Sequence, residues 1–373
     1  MIVIAGAGIG GLTLGCALAR RRRPFRIFER ASELRPVGAG IALSANALRA
    51  LAHIGLDQRV RGCGQELEAA AICDQTGRVL TSVNVRDLVP GGTIALARAS
   101  LQDVLLDALG TAVDTGQAVL GYQSFRDGVR VTTAAGETMD AELLVAADGL
   151  RSTIRAVMRG AEPLRYSGQT SWRALADNVA LAHKARFTES WGAGQRFGIV
   201  PLGGGRVYWF AVATAASGAR DDGDPRDRLR AMFDGWHPPI DDILAATPHE
   251  RIVRTDIFDR PPIDRWADGR TVLLGDAAHP MTPDAGMGGC QAIEDAVVLA
   301  DALDREPGIG AALVRYQACR IARANSFVKR SYRLGQIAHL RSAPLRWVRN
   351  CLLRAVPARL AGRGLARDLD FRL

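Results

Sequence analysis

Thr271-Val272-Leu273-Leu274-Gly275-Asp276-Ala277-Ala278-His279-Pro280 runs on as Met281-Thr282-Pro283-Asp284-Ala285-Gly286-Met287-Gly288-Gly289, and this stretch decides how the rest of the chain is read. An apolar run without alternation predicts a strand buried on both faces. It stops at Gly275, which places Asp276 just past the strand's carboxyl end, where open α/β sheets hold ligands. Two prolines stiffen the next segment, and Gly286, Gly288 and Gly289 leave room for a flat group to approach the backbone. From Gly289 the spacing Ile293, Ala296, Val297, Ala300, Leu303 is helical, so a helix N-terminus points back at the same place. Its partial positive charge suits an anionic group.

Working outward, the chain has 373 residues, room for two domains or one domain with an insertion. Hydrophobic residues make up 48%, enough for a sizeable core, and no apolar run approaches the ~18–20 residues that span a bilayer. The first core strand, Ile2-Val3-Ile4-Ala5, opens the chain; cleaving a signal peptide there would remove part of the fold, so a cytoplasmic location is expected. The net charge is +9, but the basic residues are scattered arginines with no aromatic-interleaved face, which argues against nucleic acid. Cys16, Cys63, Cys73, Cys290, Cys319 and Cys351 form no Cys-x-x-Cys pair and read as reduced residues; nothing in the sequence supports a metal site.

After the first strand comes Gly6-Ala7-Gly8-Ile9-Gly10-Gly11 and a helix to about Arg21: Gly-x-Gly-x-x-Gly in its required setting of strand, tight turn and helix. Gly6 permits the turn, Gly8 lets backbone amides touch a pyrophosphate, and Gly11 allows close helix packing. Phe25 to Phe28 is the second strand, and Glu29 ends it. An acid there accepts the ribose hydroxyls of an adenosine and repels a 2′-phosphate, which predicts FAD or NAD over NADP. Arg35 to Ile41 reads as a glycine-rich loop and about Ser44 to Ile54 as a helix. Ala69 to Asn84 reads as a hairpin around Gln75-Thr76-Gly77. Ser100 is expected to cap a helix, with Arg98 and Gln102 at its anion-facing start. A β-meander covers Gly121 to Ala141, and Leu143 to Ala147 is another buried strand ending in Asp148-Gly149. From Tyr166 to Thr214 longer alternating strands carry Trp172, Trp191, Tyr208 and Trp209, an expected antiparallel sheet with an aromatic face.

Together these motifs resemble the class A flavoprotein aromatic monooxygenases, those like para-hydroxybenzoate hydroxylase. Gly6, Gly8, Gly11 and Glu29 match that family's FAD-adenosine site, Asp148-Gly149 its second motif near the pyrophosphate and the NAD(P)H path, and Gly275-Asp276 its third, with Asp276 on the ribityl chain. Arg98 and Gln102 match its FAD-contacting Arg and Gln, and Pro283, Gly286, Met287 and Gly288 fall on the loop along the flavin. Within the family, Gly194-Gln195-Arg196-Phe197, Val207-Tyr208-Trp209-Phe210 and Thr282-Pro283-Asp284 are similar to the substrate-contacting segments of bacterial FAD-dependent urate hydroxylases, although Met287 stands where many relatives carry Gln.

The resemblance implies an α/β fold, a Rossmann-like FAD-binding domain (residues 1–68, 98–163 and 263–330) with an inserted antiparallel β-sheet substrate domain (69–97 and 164–262) and a C-terminal helical tail (331–373). It implies FAD as cofactor, NAD(P)H as transient co-substrate and O2, with a C4a-hydroperoxide passing oxygen to a small aromatic or heteroaromatic ring, urate-like or phenolic. Arg196, Tyr208 and Asp284 would be the catalytic, substrate-contacting residues, Asp284 or Tyr208 taking or orienting a substrate proton. An epoxidase or hydroxylase of an isoprenoid, polyene or quinolone is the alternative. A flavin halogenase would need a Trp-x-Trp-x-Ile-Pro segment, which is absent. The arginine-rich tail is expected to be an amphipathic helix packed on the body, with a membrane-surface contact as its other use. Oligomeric state is not legible.

Overall fold

Ile2–Ala5 is buried at every position and pairs in parallel with Leu143–Ala146 on one side and Phe25–Glu29 on the other. A strand with no exposed face must be central. The six-stranded sheet built on it runs in the order Ala267–Asp268, Thr271–Leu273, Leu143–Ala146, Ile2–Ala5, Phe25–Glu29, Asp114–Thr115, parallel except for its first strand. This computed structural model describes residues 1–34, 39–88, 91–357, 362, 364 and 366–373. The glycine-rich segment 35–38 and Arg359 and Arg363 of the tail lie outside the described residues.

The helix Ile9–Arg20 packs against both Arg98–Leu109 and Gly288–Arg305, and Val129 and Val131 of the meander join the same core. Gly40 and Ile41, expected in a loop, instead begin the strand Gly40–Ser44, antiparallel to Thr93–Ala97. Backbone pairing overrides the flexibility that the nearby glycines suggest. The cap expected at Ser100 is also corrected. The helix starts at Arg98 with Ala97 as its N-cap and no side-chain cap bond. The strand Thr93–Ala97 runs directly into it and leaves no room for a separate cap.

The second sheet has seven strands, ordered Val253–Asp259, Arg165–Ala176, Arg206–Thr214, Gln195–Gly203, Arg186–Trp191, Ala69–Asp74, Val79–Asn84. Two expectations change here. The sheet is mixed rather than wholly antiparallel, because Arg186–Trp191 lies parallel to Ala69–Asp74. Its aromatic residues are divided between faces: Trp172 and Trp209 are fully buried under the helices Pro225–Met232 and Ile240–Ala245, with Phe197 stacked on Trp209 at 5.4 Å. Tyr208, one residue along, points to the opposite face, where a Cβ on Gly40 would meet its ring at 2.6 Å. Strand alternation forces that division. No helix among the described residues is long and apolar enough to cross a membrane.

Candidate functional site

The glycine turn is sterically forced. Gly6 has φ +106°, and a Cβ there would sit 2.4 Å from the Ala147 carbonyl oxygen, so no other residue fits. Gly11 packs as closely on Gly6, while the space before Gly8 is open for at least 4 Å. Glu29 holds the turn from below, its Oε2 accepting from the Ala7 amide at 2.8 Å and its Oε1 from Ala31 at 3.0 Å. From this point a cavity of about 640 Å³ extends past Gly8, Glu29 and Leu34 to Arg98, Gln102, Arg173 and Tyr208, the size of a small-molecule cofactor site. A second, about 180 Å³, lies against Gly6, Asp148 and Gly149.

Ser152 caps the helix Thr153–Arg159, and Asp148 takes its first two amides, accepting from Thr153 (2.8 Å) and Ile154 (3.3 Å) through Oδ2. Its Oδ1 is buried without a protein partner beside the second cavity. A buried acceptor left open in this way fits a ligand hydroxyl or bridging water. Burial pushes the Asp148 carboxyl up, against Ser152 and the helix amides. Across the cleft, Asp276 follows Gly275 (φ +61°) at the end of Thr271–Leu273. Burial of its surroundings raises its carboxyl, with His279 and Arg98 opposing, although the residue itself is exposed.

The loop that follows is clamped by one hydroxyl. Ser331 Oγ donates to the Thr282 carbonyl at 2.5 Å and accepts from the Ala285 amide at 3.0 Å. Pro283–Ala285 forms a 3₁₀ turn closed by Gly286 at φ +64°; Met287 then starts the helix Gly288–Arg305 with no side-chain cap. A Cβ on Gly288 would be 3.9 Å from Asp276 Oδ1, so the open amides of that helix start lie beside the carboxylate. Gly8 and Glu29 border both cavities, Arg98 and Gln102 the first, and Gly6, Asp148 and Gly149 the second, while Asp276 and Gly288 stand beside each other at the start of the helix Gly288–Arg305.

Beneath the loop is a buried charge cluster that sequence reasoning missed. Asp295 accepts from the Gly275 amide (2.9 Å), His279 Nε2 (2.6 Å) and Arg320 Nε (2.7 Å). Burial works to raise its carboxyl, but His279 and Arg320 outweigh it and hold it at about 2. Glu294 takes Asn46 (2.6 Å), Arg323 (2.7 Å) and Arg320. The signal available was an acidic pair, Glu294 and Asp295, inside the otherwise apolar run 292–300, which says that partners exist but not which.

The expected substrate residues do not converge as a trio. Arg196 is 2% exposed, and both terminal nitrogens face carboxylates: Nη1 donates to Glu189 at 3.0 Å and Nη2 to Asp284, while Nε is buried without a protein partner. Glu189 also accepts from Trp191 Nε1 at 3.0 Å. A Cβ on Gly335 would lie 2.6 Å from Asp284 Oδ2, which explains a glycine inside the helix Ile309–Ala338. Tyr208 stands apart, on the cavity wall with Arg98 and Arg173. Burial raises its phenol, with Arg173, Arg98 and Arg196 opposing. It is a hydrogen-bond donor at neutral pH.

A family model described as the FAD binding domain matches residues 1–331. The chain belongs to this FAD-binding family. Aurachin C monooxygenase/isomerase of Stigmatella aurantiaca is 47% identical over 374 residues, 99% of this chain and 98% of the relative. The FAD-dependent urate hydroxylase of Klebsiella pneumoniae is 35% identical over 348 residues, 90% of each. Klebsiella pneumoniae HpxO, solved with FAD and uric acid, matches with a TM-score of 0.92 at 32% identity, covering 99% of this chain and 96% of that one. This member of the FAD-binding family is therefore an FAD-dependent monooxygenase with NAD(P)H and O2 as co-substrates.

Proposed function

We propose that the enzyme oxygenates a heteroaromatic ring of low charge that carries an apolar substituent. One observation carries this reading: the buried Arg196 is neutralised by two carboxylates, Glu189 and Asp284, so it offers no free cation to an anionic substrate. The wall beyond Tyr208 is aromatic, with Phe210 at 5.9 Å from Tyr208 and Phe187 at 6.4 Å from Phe210. The 47% identity to an aurachin C monooxygenase/isomerase over nearly the whole chain makes aurachin C the first compound to test.

In this reading Gly6, Gly8, Gly11 and Glu29 hold the adenosine end of FAD. Arg98, Gln102, Asp148, Gly149, Gly275 and Asp276 hold its middle, and Pro283, Gly286, Met287 and Gly288 border the ring. The bound flavin supplies the oxygen-activating redox chemistry. The protein's work is orientation. Tyr208 donates its hydroxyl proton in a hydrogen bond to a substrate carbonyl or ring oxygen, and the uncapped amides at Gly288 stabilise negative charge beside them. Arg196 and Asp284 lock the substrate sheet to the loop, closing that side to water. All six cysteines are free, which supports the reducing cytoplasm as its location.

A urate-like substrate is the second reading, favoured by the match to a urate hydroxylase solved with uric acid. The deciding assay follows NAD(P)H oxidation, peroxide and product mass with aurachin C, urate and 4-hydroxybenzoate. Coupled oxygenation of aurachin C with little response to urate is expected. Coupled turnover of urate with aurachin C inert overturns the proposal.

A further inference from the structure

The helix Ala343–Ala355 sits on the body with the opposite side inward from an ordinary amphipathic helix. At 3.6 residues per turn, Trp347, Cys351, Ala355, Val348, Leu352 and Leu345 follow one another around one half of its circumference, without a polar interruption. That half faces out: Leu345 is 53% exposed, Trp347 67%, Val348 44% and Leu352 62%. The other half carries the half-buried Leu353 among Arg346, Arg349, Asn350 and Arg354, and its Arg349, 5% exposed, is the helix's one buried residue.

Specific bonds set this orientation. Arg349 Nη1 donates to the carbonyls of Ala338 (2.9 Å) and Ile337 (3.3 Å), the open end of the preceding long helix, and its guanidinium lies 5.1 Å over the Trp191 ring. Beyond the helix the chain returns to the body, where Leu369 and Phe371 are 3% and 7% exposed in the main core and Asp370 pairs with Arg49 at 3.0 Å. The outward apolar face is thus held from both ends and is not a frayed terminus.

We propose that this face is a docking surface for an anionic lipid bilayer, with the helix lying in the plane of the interface. A continuous exposed apolar face needs an occupant, and the charge around it selects one. Residues 341–373 contain eight arginines, two aspartates and no lysine or glutamate. Arg354 is exposed on the border of the apolar arc, next to Trp347, the arrangement by which interfacial helices combine apolar burial with attraction to anionic headgroups. A second copy of this chain is the poorer occupant, because a two-fold contact through this helix would bring two arginine-rich segments together. Thirteen residues are too few to cross a bilayer, so the contact is peripheral.

The inner side of the same helix leads to the site. Arg349 covers Trp191, Trp191 donates to Glu189, and Glu189 holds Arg196. Docking would therefore set this end of the substrate sheet against the bilayer, where an apolar-tailed substrate partitions. The docking proposal does not depend on that substrate.

The test is sedimentation of the FAD-loaded full chain with vesicles of equal parts phosphatidylglycerol and phosphatidylcholine, and with phosphatidylcholine alone. Binding to the anionic vesicles at low salt, weakened at roughly 0.5 M salt where screening is short-ranged, is expected. The triple substitution Leu345→Ser, Val348→Ser, Leu352→Ser should lower vesicle affinity by about tenfold or more while leaving flavin content and melting temperature unchanged, since these side chains are already in water. Should the triple variant not fold, brominated phosphatidylglycerol must quench more Trp emission in the unaltered protein than in Trp347→Phe. No sedimentation at low salt, equal binding by a folded triple variant, or equal quenching with and without Trp347 overturns the proposal. So does a dimer that the triple variant dissolves in the absence of vesicle binding, which would assign the face to a second copy.

Discussion

Arg196, on the strand Gln195–Gly203, and Asp284, in the turn Pro283–Ala285, form an ion pair whose side chains are 2% and 1% exposed. The pair ties the sheet bearing Tyr208 to the loop that enters the Gly288 helix, and Glu189 completes it from the neighbouring strand. Removing the cation alone strands two carboxylates in the interior, a cost of about 3–5 kcal/mol. Arg196→Met should therefore show a large fall in melting temperature. Adding Glu189→Gln and Asp284→Asn should restore most of it, because the burial penalty goes with the charges. The restored variant should still release peroxide in place of product, since the lock on the loop is gone.

Gly335→Ala tests the same lock from the helix side. Alanine favours a helix by about 1 kcal/mol over glycine, yet its Cβ would sit 2.6 Å from Asp284 Oδ2. The expected result is lower stability and poorer coupling in the otherwise unaltered enzyme. In an Asp284→Ala background the clash is absent, and the same substitution should raise the melting temperature. A stabilising effect in both backgrounds would show that Gly335 does not position Asp284.

Glu29 is held by two backbone amides, at 2.8 and 3.0 Å, with its remaining acceptor capacity facing the cavity. Glu29→Ala should lose charge-assisted bonds to the ribose worth about 1–3 kcal/mol, roughly 5- to 150-fold in Kd. Flavin fluorescence titration of the apoprotein measures it. Unchanged affinity would remove Glu29 from the adenosine site.

Acid stability should depend on His339. Burial first, then the Arg196 charge, lowers its pKa from the ordinary 6.5 to about 3, while Nδ1 donates to the Gly335 carbonyl at 3.1 Å. Below pH 6.5 the unfolded chain takes up a proton that the folded protein refuses until about pH 3. The stability contributed by the neutral ring is complete above the first value and is lost as pH falls towards the second, at up to about 1.4 kcal/mol per pH unit. Asp295 has the depressed carboxylate's window, its contribution being lost only from 3.8 down to about 2. His339→Gln should flatten the melting temperature between pH 6 and 4, a range in which Asp295 stays ionised.

The parallel sheet and its glycine turn were legible in the residues because the rules there are local. A strand leading into Gly6, a helix after Gly11, Glu29 at the next strand's end and Asp276 after an unalternating apolar run are set by backbone angles and short spacings. Neighbouring residues suffice to read them. The seven-stranded sheet was only partly legible. Tyr208 and Trp209, expected on one aromatic face, lie on opposite faces, and which of these meets the helices depends on how the layers stack. Arg196 could be picked out as a planar cation. Its neutralisation by Glu189 and Asp284, seven and 88 positions away, comes from strand register and loop packing together. The cluster of Glu294, Asp295 and Arg320 was hidden for the same reason, since a buried charge reveals its need for a partner and not the partner's identity. The tail marks the boundary most clearly. Periodicity alone divides Ala343–Ala355 into an apolar and an arginine side, and hydrophobic burial alone would turn the apolar side inward. The free carbonyls of Ile337 and Ala338 and the ring of Trp191 exist only in the folded protein, and their bonds to Arg349 turn the apolar side to the outside.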